Sequence, residues 1–142
     1  DTANACDNSP GRVPAAITVG ATDRAGRRAA YSNIGIRVDL FAPGSLITSA
    51  WFFADMATQT LEGTSMAAPH VTGVAALYLE DNPEATPAQV AAAIVAASTK
   101  NKVTDPGAWT PNRLLYSDVT TPKSEPEPEP WFPWLFWWLA WN

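Results

Sequence analysis

The feature that most constrains how this chain can fold is Ser65, which stands directly before a long run of small apolar residues. The string reads Gly-Thr-Ser-Met-Ala-Ala-Pro-His from Gly63 to His70 and continues Val-Thr-Gly-Val-Ala-Ala-Leu-Tyr-Leu. Because apolar residues lie almost all round a helical projection of this run, the pattern predicts a helix buried in a core. The turn residues 81–83 predict its end. Ser65 is therefore predicted to lie at the N-terminus of a buried helix.

A serine in that place gains two chemical properties from its position. The first amides of a helix have no partner within the helix and can hold an oxyanion, and the helix dipole adds positive potential there. We therefore take Ser65 as the candidate nucleophile, with the helix N-terminus at Thr64 and Ser65 as the candidate oxyanion site. For an isolated Gly-Thr-Ser, the alternative is that the serine is merely an N-cap.

The rest of the chain alternates predicted strands with predicted helices. A second helix is expected to begin with Thr86 as N-cap, Pro87 in the first helical position and Gln89 completing a capping box, and to run to about Ala97. Apolar runs bounded by turn residues predict short strands. These predicted strands cover residues 15–21, 37–41, 45–51 and 112–116. The alternation predicts an α/β layered domain.

Composition divides the chain into a body (1–118), a Glu/Pro-rich linker (119–130) and a Trp-rich apolar tail (131–142). Alternating Glu and Pro predicts an extended, solvated linker. The tail holds five of the seven Trp residues. As a helix it would span about 18 Å, too short for a hydrocarbon core of about 30 Å. Because Trp favours the membrane interface, two readings stay open for 131–142, surface contact with a membrane or an end with no selected role.

Charge and cysteine content narrow the expected partners. The formal net charge is −5 and the basic residues are scattered, so nucleic acid is not an expected partner. Cys6 is the single cysteine and cannot form a disulfide within the chain. The sequence starts at Asp1 without a leader, and we expect further residues to precede it.

The string from Gly63 to Ala76 resembles the nucleophile segment of the subtilase family of serine peptidases. The family's usual form is Gly-Thr-Ser-Met-Ala, one small residue, then Pro-His-Val-Ala-Gly, and Thr72 here replaces the usual Ala. Other segments are similar in the same order, namely 19–21, 31–35, 38–44 and 112–116. The resemblance covers about residues 1–116 and points to the proteinase K-like branch. It implies a partial subtilisin-like three-layer fold, with a mostly parallel sheet and a buried central helix that starts at the nucleophile.

The resemblance also implies an activity. A subtilase is a serine endopeptidase, so Ser65 would form an acyl-enzyme with a protein or peptide substrate, and the enzyme would be secreted. No cofactor is expected for the chemistry. The family's substrate-binding wall begins just before Ser9, Pro10 and Gly11, which are the expected substrate-binding residues.

A structural calcium site is the other expectation drawn from the resemblance. The proteinase K-like branch builds it from two backbone carbonyls and one carboxylate, which fall here on Pro14, Ala16 and Asp39. Oxygen ligands of this kind suit Ca²⁺. One carboxylate is weak evidence, and Asp39 is equally explained as a polar residue at a strand end.

Most of the family's catalytic machinery has no counterpart in this sequence. The motifs of the general base, its orienting Asp and the oxyanion Asn would all precede Asp1. The only histidine, His70, follows Ser65 by five positions, or about 140° on a helix, so it is expected to be structural. In some relatives a cysteine like Cys6 forms a disulfide, but Arg37 holds the place of its partner here.

Two other function classes remain as alternatives. A catalytically dead pseudo-peptidase or binding module would keep the fold for interaction. An α/β-hydrolase esterase needs Gly-x-Ser-x-Gly, and position 67 is Ala, so it ranks last.

We predict that the 142-residue chain by itself hydrolyses no peptide, because an unaided serine hydroxyl is a poor nucleophile. The measurement is turnover of a chromogenic peptide by the purified chain, with Ser65→Ala as control. Steady turnover that disappears in Ser65→Ala contradicts the prediction.

Overall fold

The structure is a computed structural model that describes residues 3–119. The predicted linker, apart from Val119, and the predicted tail lie outside the described residues. In chain order the strands are β1 (Val19–Thr22), β2 (Leu40–Pro43), β3 (Ile47–Ala50), β4 (Thr58–Leu61), β5 (Thr99–Lys100) and β6 (Arg113–Leu114), and the helices are α1 (Thr64–Asp81) and α2 (Pro87–Ala97). Within 3–119, no helix is both long enough and apolar enough to cross a membrane.

A mostly parallel sheet forms the floor of the fold, as predicted. Its strand order is β1-β2-β6-β5, with β2 parallel to both β1 and β6 and with β5 antiparallel to β6. Leu40, Phe41 and Ala42 in β2 are completely buried. Continuous burial of consecutive residues is typical of a parallel strand with both faces covered.

The predicted strands are present but shorter than expected. The run from Ala15 begins with a turn, in which the Ala16 N–H donates to the carbonyl of Val13 at 3.1 Å, and pairing with β2 starts only at Val19. Strands β4 and β5 were not predicted. β4 is the polar string Thr-Gln-Thr-Leu, all exposed, and it is a strand because it pairs with β3 in an antiparallel hairpin.

Helix α1 begins beside Ser65, as predicted, and packs on β1, β2 and α2. Its buried residues are Ala67, Val71 and Val74. The opposite side, which includes Leu77 at 55% exposure, has no cover among residues 3–119. The face of α1 toward the sheet is therefore buried, as predicted. The opposite face is exposed, because it has no neighbours in the described part of the chain.

Helix α2 begins with the predicted capping box. The Thr86 hydroxyl accepts a hydrogen bond from the Gln89 N–H at 3.4 Å, and the Thr86 N–H donates to Gln89 Oε1 at 2.8 Å. The helix buries Val90 and Ile94 in the core cluster that also holds the buried residues of α1. α2 thereby braces α1 on the sheet.

Gly44 is the point where β2, β1 and the start of α1 approach most closely. Its N–H donates to the carbonyl of Thr22, and its carbonyl accepts from the N–H of Gly63, both at 2.9 Å. A Cβ on Gly44 would lie 2.7 Å from the Cβ of Ala21 and 2.8 Å from the carbonyl oxygen of Gly63. Both distances are shorter than van der Waals contact, so this position has no room for a side chain.

We predict that Gly44→Ala lowers the free energy of unfolding by about 1–3 kcal/mol, because the methyl group overpacks a junction made largely of backbone. The matched control is Gly73→Ala on the open side of α1, where a Cβ meets nothing within 4 Å. That change should raise stability by about 0.5–1 kcal/mol, the helix preference of Ala over Gly. Urea denaturation of the full chain measures both, and equal effects would contradict the packing argument.

Candidate active site

Ser65 lies in the first turn of α1 but is not its N-cap. The N-cap is Gly63, which has φ 152° and no side-chain cap. This φ favours glycine and lets the chain turn sharply into the helix. Ser65 is exposed. Its hydroxyl therefore does not cap the N-terminus of the helix, and the alternative that Ser65 is merely an N-cap is excluded.

Two cavities meet at Ser65. The first, of about 350 Å³, brings Ser65 and Thr64 together with the predicted wall residues Ser9, Pro10 and Gly11. The second, of about 450 Å³, lies between α1 and the β3–β4 hairpin. Its lining includes Ile47, Ser49, Trp51, Leu61, Met66 and His70. A chain laid across Ser65 would have a recess on each side.

The wall of the first cavity is held by hydrogen bonds to its backbone. The Thr18 hydroxyl donates to the carbonyl of Gly11 at 2.9 Å, and the Arg12 N–H donates to the carbonyl of Asn8 at 2.8 Å. Asn33 also lines this cavity, and its Oδ1 accepts from the Ala3 N–H at 3.1 Å. The wall is thus attached to Thr18, directly before β1.

His70 borders the second cavity but is engaged with the helix backbone. Its Nδ1 lies 2.9 Å from the carbonyl oxygen of Met66. Because a carbonyl only accepts, Nδ1 is the protonated nitrogen in this contact. Helical side chains lean toward the N-terminus, so the ring lies over the preceding turn and reaches the cavity that Ser65 also borders. No hydrogen bond links His70 to Ser65 in the described structure.

The predicted calcium ligands lie in the turn before β1 and directly before β2. Asp39 Oδ2 accepts the Thr18 N–H at 2.7 Å, which fixes the carboxylate at the entry to β1. Pro14 and Ala16 are exposed in the preceding turn, and Ala16 lines the first cavity. These oxygens are of the type that Ca²⁺ prefers. Among residues 3–119, however, no group of three or more His, Cys, Asp or Glu could hold a metal, and calcium binding stays a prediction.

Sequence reasoning missed the second cavity. Its outer wall is the β3–β4 hairpin, and β4 carries no apolar alternation that would reveal it. Asn33 was also missed, because nothing in the sequence places it beside Ser9 and Ser65. The contact follows from tertiary structure alone.

The chain matches one known family over most of its length. A family model described as the subtilase family matches residues 2–112. An extracellular serine proteinase from Thermus sp. (strain Rt41A) is 56% identical over 117 residues, which cover 82% of this chain and 28% of that protein. Alkaline serine exoprotease A from Vibrio alginolyticus is 47% identical over 135 residues, which cover 89% of this chain and 25% of that protein.

A solved structure shows the same fold. The crystal structure of a cold adapted subtilisin-like serine proteinase matches with a TM-score of 0.77 and 51% sequence identity, covering 82% of this chain and 41% of the other. The matched part of this chain thus spans 28% and 25% of the two curated relatives and 41% of the solved chain.

We predict that Ca²⁺ raises the Tm of the full chain and that Asp39→Asn abolishes the rise. At about 100 times the Kd, a ligand that binds only the folded state contributes about 2.7 kcal/mol. The amide oxygen of Asn can still accept from Thr18, so the fold should persist. Thermal melts in Ca²⁺ and in EDTA make the measurement, with the exposed Asp55→Asn as control. A rise that survives in Asp39→Asn would place the ion elsewhere.

Proposed function

The chain belongs to the subtilase family, and from that premise we propose that it supplies Ser65 as the nucleophile of a serine endopeptidase acting on protein or peptide substrates. The observation that carries the proposal is the placement of Ser65. The hydroxyl is exposed in the first turn of α1, free of any capping role, between two cavities.

The helix N-terminus provides the electrostatic part of this reaction. When Ser65 Oγ attacks the scissile carbonyl, negative charge develops on the carbonyl oxygen, and the amides of the first turn together with the helix dipole stabilise it. One oxyanion donor contributes about 3 kcal/mol, a magnitude measured in subtilisin. Gly63, which has no side chain, leaves this approach open.

Proton transfer requires groups beyond those described. A general base must take the Ser65 proton and pass it to the leaving amine, and a carboxylate must orient that base. Nδ1 of His70 already donates to Met66, and no hydrogen bond joins the ring to the Ser65 hydroxyl in the described residues. In this proposal the base and carboxylate come from a part of the protein outside this sequence, and water then hydrolyses the acyl-enzyme.

Secretion is the second part of the proposal. The relative from Thermus is named an extracellular proteinase, and this chain shares 56% identity with it. Protein substrates outside the cell agree with the open, two-sided cleft at Ser65.

A catalytically dead binding module is the alternative, because among residues 3–119 no general base is hydrogen-bonded to the Ser65 hydroxyl. If the whole protein carries no base beside Ser65, the same cleft would bind peptides without cleaving them. The intact Gly63–Met66 turn supports the active form instead.

We predict that Ser65→Ala in the intact protein lowers kcat by about a millionfold, the loss that follows removal of the nucleophile in subtilisin. Ser117→Ala, an exposed serine far along the chain from α1, is the matched control and should leave kcat unchanged. Hydrolysis of a chromogenic peptide gives kcat and KM for both variants.

Each outcome decides between the two functions. Turnover that survives Ser65→Ala would show that another residue is the nucleophile. Peptide binding without turnover in the unaltered intact protein would establish the binding module.

A further inference from the structure

A row of aromatic side chains leads away from Ser65 along the β3–β4 hairpin. Trp51 lines the second cavity together with Ser65. Its ring centroid lies 5.1 Å from that of Phe52, which lies 4.2 Å from that of Phe53. We call Trp51, Phe52 and Phe53 the aromatic row. It begins in the cleft and continues to the tip of the hairpin.

The outer part of the row is unusually exposed. Phe52 and Phe53 are 78% and 76% exposed, and Met56, which follows in the same hairpin loop, is 92% exposed. Single exposed apolar residues are ordinary, but a contiguous group marks a surface for binding. None of the three belongs to either core cluster of the described residues.

The hairpin does not need these side chains to hold its shape. The Trp51 N–H donates to the carbonyl of Ala57 at 2.8 Å, and the Ala57 N–H donates to the carbonyl of Ala54 at 2.9 Å. Below the tip, the hydroxyls of Thr48 and Thr60 are 2.7 Å apart across the two strands. Backbone hydrogen bonds thus fix the loop, and the exposed rings remain available to a ligand.

We propose that the aromatic row and Met56 bind an apolar segment of the substrate polypeptide, several residues away from the bond that Ser65 attacks. This inference rests on the proposed function. The occupant follows from continuity, because a chain that crosses Ser65 and fills the second cavity passes Trp51 as it leaves.

The spacing and charge of the row define the chemistry of that segment. The two ring separations limit the length of the row to that of about three residues of extended chain at about 3.3 Å per residue. Alternate side chains of an extended chain share one face, so apolar residues at alternate positions would meet the row. Residues 51–57 contain one charged residue, Asp55, and no Lys or Arg. An acidic substrate segment would therefore meet no basic side chain in this loop.

The test is a binding experiment, which does not require catalysis. Two labelled peptides share an Ala-rich segment for the cleft and differ beyond it, where one reads Phe-Ser-Phe-Ser-Phe and the other has only Ser. Fluorescence anisotropy with the full chain should show roughly tenfold tighter binding of the Phe peptide, a typical effect of a few buried aromatic residues.

The variant Phe52→Ser/Phe53→Ser/Met56→Ser should remove this preference. The matched control, Ile36→Ser/Trp109→Ser, changes exposed apolar residues elsewhere and should keep it. Turnover of the same peptides by the intact protein is measured separately. Absence of turnover with the binding preference intact would count against the proposed function and leave the aromatic row supported.

Three results would overturn the inference. The two peptides could bind equally, or the preference could survive in the triple variant. The third is that the unaltered chain shows no peptide preference because the aromatic row binds something else. A membrane as occupant would be seen as binding to phosphatidylcholine vesicles that the triple variant loses. Residues 131–142 as occupant would be seen as peptide binding that appears only when they are deleted.

Discussion

The close approach of backbone at Gly44 is the constraint on which the site depends. Two hydrogen bonds of 2.9 Å join Thr22 at the end of β1 to Gly44 and Gly44 to Gly63, directly before α1. The helix start is therefore tied to the sheet through main-chain atoms, and no flexible side chain intervenes. The position of Ser65 is set by this contact and by the packing of Ala67 below it.

The cleft follows from the same arrangement. β1 and β2 run parallel, so their carboxyl ends lie at one edge of the sheet, where ligand sites of open α/β folds occur. From β2 the chain continues through the β3–β4 hairpin and returns to Gly63, so the hairpin stands on one side of Ser65. The segment before β1 forms the wall on the other side. The N-terminus of α1 thus lies between two recesses at this edge of the sheet.

Local signals carried the successful predictions. The start of α1 and the capping box at Thr86 depend on neighbours within a few residues, and both are present in the structure. β4 and β5 are strands because they pair with β3 and β6, and their own polar sequences gave no signal. The second cavity was missed for the same reason. The contact of His70 with Met66 required the lean of helical side chains, which a rotation angle alone omits.

One consequence of the first turn of α1 concerns motion. The Met66 N–H donates to the carbonyl of Gly63 at 3.0 Å, so Ser65 and its neighbouring amides form one closed turn at the N-terminus of an 18-residue helix. Such a turn moves as a rigid unit. Collective motions on the microsecond to millisecond scale move this turn together with its helix, while the exposed Ser65 side chain changes rotamer on a faster scale. Conformational steps of the proposed reaction would then act on the delivery of the substrate and the base, because the backbone of Ser65 and its neighbouring amides move together.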